Sequence, residues 1–568
     1  MTDIHAAFER WKNRASNIAP QELEALAQSE EALTDAFVRD LEFGTAGLRG
    51  IIGAGSNRMN VYTVAQATQG LANYLNRTFG QPSVAIARDS RNMGEEFCKI
   101  AAGVLAANGV KAFLYPRIEP TPALSFAVRD LKCSAGICVT ASHNRAEYNG
   151  YKVYGPDGCQ ITTQAATDIQ SEIKNVDIFD DVTCMDFEEG LACGLIAWID
   201  DATIERFIDC CEQASLSNEQ GPLKVVYTPL HGTGLECVTK ILERIGVSDL
   251  IIEPDQAIPN GDFPTCPYPN PEVREALERG LALASETNAD LLLATDPDAD
   301  RVGIAVVKDG EPVLLSGNET GILLTDYICT KLAEKVCDLR EKVVISTIVS
   351  STMLDELCRD RGFELRRTLT GFKYIGEQIG YLEADGEAAR YAFGFEESYG
   401  YLAGTHVRDK DAVVTSMLIC EMARWYRAKG MDLKDAIDAL YEKYGYYRNA
   451  VVSFAFEGSD GVERMAAVLS RLRAELPGSI AGLAVEKCLD YQPGIAMPIM
   501  GGRGDAPEQI LPGANVLEFA LEGSSKLIIR PSGTEPKIKV YLFAKGATAE
   551  ESAQTLESLK AAAGQLLA

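Results

Sequence analysis

The chain has 568 residues, 46% of them apolar and 24% charged, with a net charge of −28 at pH 7. That length exceeds what one hydrophobic core supports and predicts roughly three or four domains of ordinary globular composition. The charge argues against a general binder of nucleic acid or anionic membrane, which needs a basic surface, and no apolar run reaches the roughly 18 residues of a membrane span.

Residues 1–10 carry acids and no apolar stretch, so they do not read as a signal peptide. The fifteen cysteines lack CxxC pairs and Cys/His spacing, and most sit among apolar residues. They read as buried thiols of a reducing cytoplasm, not as disulfides or a zinc site. An acidic chain that takes an anionic substrate needs a local basic pocket, visible as a motif.

In chain order, residues 1–40 are expected to form a helical packing arm, with Phe8, Trp11, Leu23, Leu26 and Leu33 set among acids. The Gly-rich turn at 42–50 either presents Arg49 to a ligand or is a plain loop. A strand at 84–87, a helix at 94–108 and a strand at 112–115 follow, and the apolar run Ala135–Val139 leads into Thr140-Ala141-Ser142-His143-Asn144. Alternation of this kind indicates a mainly parallel sheet covered by helices, with ligands at the strand ends. On its own, Ser142 reads as a turn or cap residue more than as a nucleophile.

The pattern recurs with strands at 223–227, 250–252 and 290–294 and a helix from Pro271. A third round has helices at 321–335 and Met353–Arg361 and strands at 343–346, 363–365 and 391–394. From Tyr447 the grammar changes: strands at 451–454, 516–519, 527–529 and 540–543, a helix from Val462 and a terminal helix Ala549–Leu567 read as α+β with antiparallel hairpins. The Gly/Pro-rich piece 497–512 reads as a long loop. The predicted fold class is α/β: three related α/β domains with mixed, mainly parallel sheets at 1–200, 201–318 and 319–450, plus a C-terminal α+β domain at 451–568.

Asp296-Pro297-Asp298-Ala299-Asp300-Arg301 joins two predicted strands and carries three alternating carboxylates. They repel one another unless a divalent cation neutralises them, and hard oxygen ligands favour Mg²⁺ or Ca²⁺; the alternative is a solvated acidic turn. An EF-hand is excluded, because Arg301 and Val307 stand where that loop needs Gly and Glu. Open coordination positions suit a metal that also holds a phosphate oxygen.

Gly394-Phe395-Glu396-Glu397-Ser398-Tyr399-Gly400 offers two carboxylates and a hydroxyl suited to sugar hydroxyls, or is a chance acidic turn. His406-Val407-Arg408-Asp409-Lys410-Asp411 holds possible proton-transfer groups, or starts a helix capped by Asp409 or Asp411. Arg530-Pro531-Ser532-Gly533-Thr534, with Lys537 and Lys539 nearby, is the local basic pocket that the composition demands, or else a hairpin turn. No GxxxxGK[ST], no strict GxGxxG opening a helix and no GxSxG elbow occurs, so nucleotide, dinucleotide and hydrolase templates are unsupported.

Taken together and in order, Gly44-Thr45-Ala46-Gly47-Leu48-Arg49-Gly50, the Ser142 pentapeptide, the aspartate loop, the 394–400 loop and the 530–534 loop resemble the α-D-phosphohexomutases. Within that family the likeness is to the phosphoglucomutase/phosphomannomutase type, in the branch that also holds phosphopentomutases, and it covers about residues 41–545. The resemblance implies three α/β domains and an α+β domain around a central cleft. It implies that Ser142 is a phosphoserine and that Asp296, Asp298 and Asp300 bind one Mg²⁺ together with that phosphate, which Arg301 steadies. Lys152 resembles the family's proton-transfer lysine, and His143 and Arg49 would help in the same place. Glu396 and Ser398 would hold sugar hydroxyls, and Arg530, Ser532, Gly533 and Thr534 the non-reacting phosphate. Lys410 and His406 look like positions near the reacting sugar.

The implied reaction interconverts glucose 1-phosphate and glucose 6-phosphate through glucose 1,6-bisphosphate. The implied setting is cytoplasmic, as a monomer or small homo-oligomer, with small-molecule sugar phosphates and neither nucleic acid nor membrane as partners. Mannose or pentose phosphates are alternatives within the family. A non-catalytic sugar-phosphate binding protein is an alternative outside it, and an aspartyl-phosphate phosphatase lacks support because Asp298-Ala299-Asp300-Arg301 is not a DxDx[TV] loop. Two departures stand out: Arg145 follows Ser-His-Asn where the family usually has proline, which bears on loop stiffness, and Phe395 sits in a sugar loop that more commonly reads Gly-Glu-Glu-Ser.

Overall fold

The computed structural model describes residues 3–44, 47–219, 221–335, 339–456, 461–493, 497–500, 511, 513–532 and 537–567. The chain forms two compact units, Met1–Thr320 with Ile375–Asp432, and Gly321–Tyr374 with Leu433–Ala568.

The first unit opens with three short helices, Ile4–Arg14, Pro20–Leu26 and Glu30–Phe37. Asp3 and Ser29 cap the first and third by accepting from Ala6 N and Ala32 N. Phe8, Trp11, Leu23, Leu33 and Phe37 bury one face, and Trp11 lies edge-on to Phe37, Tyr62 and Phe179. The arm is thus a packing layer, as its alternation of acids and large apolar residues predicts.

Six strands follow: β1 (Gly47–Ile51), β2 (Ser83–Arg88), β3 (Lys111–Leu114), β4 (Ala135–Val139), β5 (Tyr148–Tyr154) and β6 (Ile196–Trp198). They pair in the order β1-β5-β4-β2-β3-β6. β4, β2, β3 and β6 run parallel, and β5 runs antiparallel to both of its neighbours, β4 and β1. β4 is buried along its whole length, as a strand covered on both faces must be. Arg88 at the end of β2 lies opposite Val139 at the end of β4. The loops after these two strands therefore meet.

The second sheet contains β7 (Lys224–Thr228), β8 (Asp249–Ile252), β9 (Leu291–Thr295), β10 (Val302–Lys308) and β11 (Glu311–Leu315), in the order β11-β10-β9-β7-β8. β9, β7 and β8 are parallel. β10 returns antiparallel to β9, so residues 296–301 form the turn of a hairpin. In the second unit β12 (Val343–Thr347) and β13 (Glu364–Thr368) run parallel. In the first, β14 (Tyr391–Glu396) and β15 (Gly400–Leu402) form an antiparallel hairpin.

The C-terminal part of the second unit is antiparallel. It comprises β16 (Tyr446–Ala455), β17 (Ser479–Ile480), β18 (Leu483–Asp490), β19 (Met497–Met500), β20 (Leu517–Leu521), β21 (Ser525–Pro531) and β22 (Lys537–Gly546). The order is β16-β22-β21-β20-β18-β17, with β19 on β18. Residues of the helices Gly461–Ala474 and Ala549–Leu567 share its core. The fold is the expected one: α/β with mixed sheets, plus an antiparallel α+β domain. Among the described residues no helix is long and apolar enough to cross a membrane.

Several element boundaries need correction: β7 and β13, expected at 223–227 and 363–365, each start one residue later. The helix expected from Pro271 starts at Arg274, because Val273 is still extended. The strand expected at 290–294 is shifted by one residue, to Leu291–Thr295. The helix expected at 321–335 begins at Gly317, where Ser316 and Glu319 cap reciprocally: Ser316 N donates to Glu319 Oε2 and Glu319 N to Ser316 Oγ. The first four residues of the expected loop 497–512 form β19, while 501–510 and 512 lie outside the described residues. The helix Val61–Thr78 carries no sequence prediction; its start is set by a capping box of Asn60 and Thr63.

Candidate active site

Ser142 sits just beyond β4, 4% exposed, with a left-handed backbone at φ +52°. That conformation costs a non-glycine residue roughly 1–3 kcal/mol and persists only when its surroundings enforce it. They do. Ser142 N donates to Thr140 Oγ1 at 2.8 Å, and Thr140 Oγ1 donates to Asp89. Fully buried Arg91 donates to four carbonyls of the loop: those of Ser142 and Asn144, that of Arg145 at 2.8 Å and that of Tyr148 at 2.9 Å. Asp89 pairs with Arg91 at 3.3 Å, and the guanidinium stacks on Phe263.

Arg145 is therefore held by its backbone, while its side chain extends into solvent with Glu147 3.8 Å away. Loop stiffness here comes from Arg91, not from a proline. Sequence reasoning missed Asp89 and Arg91. The strand-end rule that selected Ser142 would have found them, because they follow β2, the parallel neighbour of β4.

Ser142 Oγ donates to Asp296 Oδ2 at 2.7 Å, and His143 Nδ1 is 3.1 Å from the same hydroxyl. Asp296 Oδ1 accepts the backbone N–H groups of Asp300 and Arg301, so this carboxylate also closes its own turn. Ala299 adopts φ +47° at the apex. The result gathers Asp296, Asp298 and Asp300, buried to 1% exposure or less, with one oxygen from each within 4.8 Å of the others.

Asp298 Oδ2 accepts from Lys152 Nζ at 2.8 Å and from Thr121 Oγ1 at 3.0 Å. Asp300 Oδ2 faces Lys410 Nζ at 3.1 Å and Lys152 Nζ at 3.7 Å. Asp298 Oδ1 and Asp300 Oδ1 are buried with no hydrogen-bond partner among the described residues. Two orphaned oxygens in an all-carboxylate set fit a hard divalent cation, which would use those lone pairs.

Burial, then Asp298 and Asp300, push the Asp296 carboxyl well above the usual range. Burial works the same way on Asp298, but Lys152 outweighs it and holds that carboxyl below its ordinary value. Asp300 is raised by burial and by Asp298, against the two lysines. Burial alone would discharge Lys152 and Lys410; their carboxylate partners reverse this and keep both ammonium groups charged.

Strand pairing explains how Lys152 arrives: it lies on β5 between Cys138 of β4 and Gly47 of β1. Gly400 lets Lys410 cross β15, since a Cβ there would meet Lys410 Cδ at 2.1 Å. Arg301 reaches Glu272 at 2.7 Å, and Arg49, exposed on β1, approaches Asn144 Oδ1 at 3.5 Å. Buried Glu396, at the end of β14, acts electrostatically on both Lys410 and Arg301. Half-buried Ser398 lies in the turn after it. Asp411 is the helix cap foreseen for this stretch, accepting from Val413 N and Val414 N.

His406 lies five residues before Asp411, its hydrogen-bond partner. Its Nε2 binds Asp411 Oδ2 at 2.9 Å beside Cys211 and Phe207, so that nitrogen is committed away from the carboxylate turn. In the other unit, Arg530 lies on β21 opposite Lys539, and Ser532 N closes the hairpin on Lys537 O at 2.8 Å. Gly533 and Thr534 lie outside the described residues.

Two outcomes follow. A Cβ on Gly232 would lie 2.4 Å from Pro297 Cα. Gly232→Ala is thus expected to shift the aspartate turn and weaken divalent-cation binding roughly 10- to 100-fold by calorimetry; unchanged affinity would show that the turn's position is not what sets binding. The second concerns His143, whose pKa is lowered from 6.5 to about 2 by burial and by Arg301 and Arg49. It stays neutral when folded but protonates when unfolded, so its contribution to stability falls as pH drops below 6.5. In the unphosphorylated protein its NMR ring signals should not move between about pH 5 and 8, and a midpoint inside that window would contradict the placement.

Three family models match the chain: phosphoglucomutase/phosphomannomutase α/β/α domain I at residues 40–178, domain II at 205–310 and domain III at 316–444. The chain is 36% identical over 532 residues to a phosphoglucomutase of Staphylococcus saprophyticus, covering 94% of this chain and 95% of that one. It is 35% identical over 528 residues to a phosphoglucomutase of Staphylococcus aureus, covering 92% and 93%. Among solved structures, a phosphoglucomutase/phosphomannomutase family protein from Burkholderia thailandensis superposes with a TM-score of 0.67 at 17% identity, covering 92% and 97%. Parafusin from Paramecium, a phosphoglucomutase, gives 0.65 at 17% identity, covering 93% and 94%; these two bear on the fold alone. With nearly its whole length aligned at such identity, and its strand-end serine set on a buried aspartate turn, the chain belongs to the phosphoglucomutase/phosphomannomutase family.

Proposed function

We propose that the chain acts as a phosphoglucomutase, interconverting glucose 1-phosphate and glucose 6-phosphate through phosphorylated Ser142 and a glucose 1,6-bisphosphate intermediate. The observation that carries this reading is the 2.7 Å contact of Ser142 Oγ with Asp296, in a turn whose other two carboxylates each keep an orphaned oxygen. A phosphate on that hydroxyl would add negative charge to an already anionic pocket. Asp296, Asp298 and Asp300 would hold one Mg²⁺, which when bound neutralises them and the phosphate oxygens.

In the first half-reaction the bond from phosphorus to Ser142 Oγ breaks while one forms to a free sugar hydroxyl. Lys152, charged beside Asp298 and Asp300, gives a proton to Ser142 Oγ and is restored by the proton the hydroxyl loses. The second half-reaction runs the same exchange backwards with the other phosphate. Arg301 and Arg49 supply positive charge around the transferring group, beside a neutral His143. We assign Glu396 and Ser398 to sugar hydroxyls, with Lys410 beside them. Arg530, Ser532, Gly533 and Thr534 are assigned to the distal phosphate.

We further assign glucose 1,6-bisphosphate as the activator that primes Ser142, the cytoplasm as the site of action, and domain boundaries near residues 200, 318 and 450. The test is an initial-rate panel of glucose, mannose and ribose 1-phosphates with catalytic bisphosphate and Mg²⁺. Glucose 1-phosphate should turn over fastest, and Ser142→Ala should fall below about a thousandth of the wild-type rate. A preference for mannose or ribose would reassign the substrate. Binding without turnover of any sugar would make the chain a non-catalytic binder.

A further inference from the structure

Among the described residues of the first unit one other set of metal-ligating side chains converges, from positions up to 200 residues apart: Cys211, His406 and Asp411. Cys211 Sγ lies 3.6 Å from His406 Nε2 and 3.7 Å from Asp411 Oδ2, and the nitrogen and oxygen are 2.9 Å apart. The Cys211 and Asp411 side chains are fully buried, and that of His406 is 6% exposed. Cys211 comes from the helix Asp201–Gln213, and Asp411 caps the helix Ala412–Arg427.

A tetrahedral Zn²⁺ bonds sulfur at about 2.3 Å and nitrogen or oxygen at about 2.0–2.1 Å, which sets S–N and S–O separations near 3.6 Å and N–O near 3.3 Å. Both sulfur distances already match, and the remaining pair needs to open by only a few tenths of an ångström. A histidine–aspartate hydrogen bond explains the short contact, but not why a thiol is set against both partners. Asp411 Oδ1 is fixed by Val413 N and Val414 N, which leaves Oδ2 aimed at the cluster; such support is typical of a ligand carboxylate. Cysteine–histidine spacing along the chain hid this site, because its parts meet only in three dimensions.

We propose that Cys211 Sγ, His406 Nε2 and Asp411 Oδ2 bind a thiophilic divalent cation of the Zn²⁺ class, distinct from the cation of the aspartate turn, with a water in the fourth position. On binding, the thiol proton leaves to solvent and sulfur bonds the metal as thiolate. The ion would clasp the segment 406–411 to the helix Asp201–Gln213 and so fix the backbone of Lys410, whose ammonium reaches Asp300 at 3.1 Å. It acts as a positioning device, remote from the transferring phosphate.

The test is a Co²⁺ titration of the full chain in excess Mg²⁺, which keeps the all-oxygen aspartate site occupied. One equivalent should give a thiolate-to-cobalt absorption band in the near ultraviolet together with tetrahedral bands in the red, both bleached by Zn²⁺. Cys211→Ser should remove the thiolate band, and His406→Ala should weaken Zn²⁺ binding at least about tenfold. No thiolate band in the wild-type protein at saturating Co²⁺ would overturn the proposal without reference to any variant. So would a band that survives Cys211→Ser.

Discussion

Three carboxylates in one buried turn cannot stand unneutralised, and much of the first unit is arranged around that constraint. Like charges a few ångström apart repel strongly once water is excluded. Lys152 and Lys410 answer part of that repulsion, and backbone N–H groups of Asp300 and Arg301 answer more at Asp296. What is left over, one lone oxygen each on Asp298 and Asp300, is the opening for a cation. Ser142 joins the same network through Asp296, so the serine proposed to carry the phosphoryl group and the candidate cation site form one electrostatic object.

Holding that object still requires rigid loops. Ser142, Ala299 and Tyr399 all adopt left-handed backbone, and each sits in a loop at the end of a strand. Parallel β2 and β4 end side by side, which lets Arg91 take the carbonyls of the serine loop. The strain at Ser142 is therefore borne by a buried guanidinium rather than by local sequence. Phosphoryl transfer depends on in-line placement more than on covalent ingenuity, and this scaffold supplies placement.

The apolar runs within β2, β4, β7 and β12 were legible because buried parallel strands read as near-continuous apolar stretches. The Asp296–Arg301 turn was legible because its charge pattern has few stable explanations. Arg91 was not, since one arginine after a strand looks like any surface residue until its neighbour strand is known. The helix Val61–Thr78 escaped although its apolar face is periodic; its β-branched residues and mid-helix Gly70 are weak helix formers. The partners of His406 were likewise not legible: the turn before the helix Ala412–Arg427 sends its Nε2 toward Asp411 and Cys211, which its place four residues before Lys410 does not reveal.

The account rests on Ser142 as the covalent carrier of the phosphoryl group. The most direct measurement is to quench the enzyme during turnover with glucose 1-phosphate, Mg²⁺ and catalytic bisphosphate, and to map phosphate on the chain by fragmentation mass spectrometry. The prediction is one phosphate, confined to Ser142, present during turnover and discharged when a large excess of sugar monophosphate is supplied without bisphosphate. A turning-over enzyme with no phosphate on Ser142, or with its phosphate on another residue, would contradict the account.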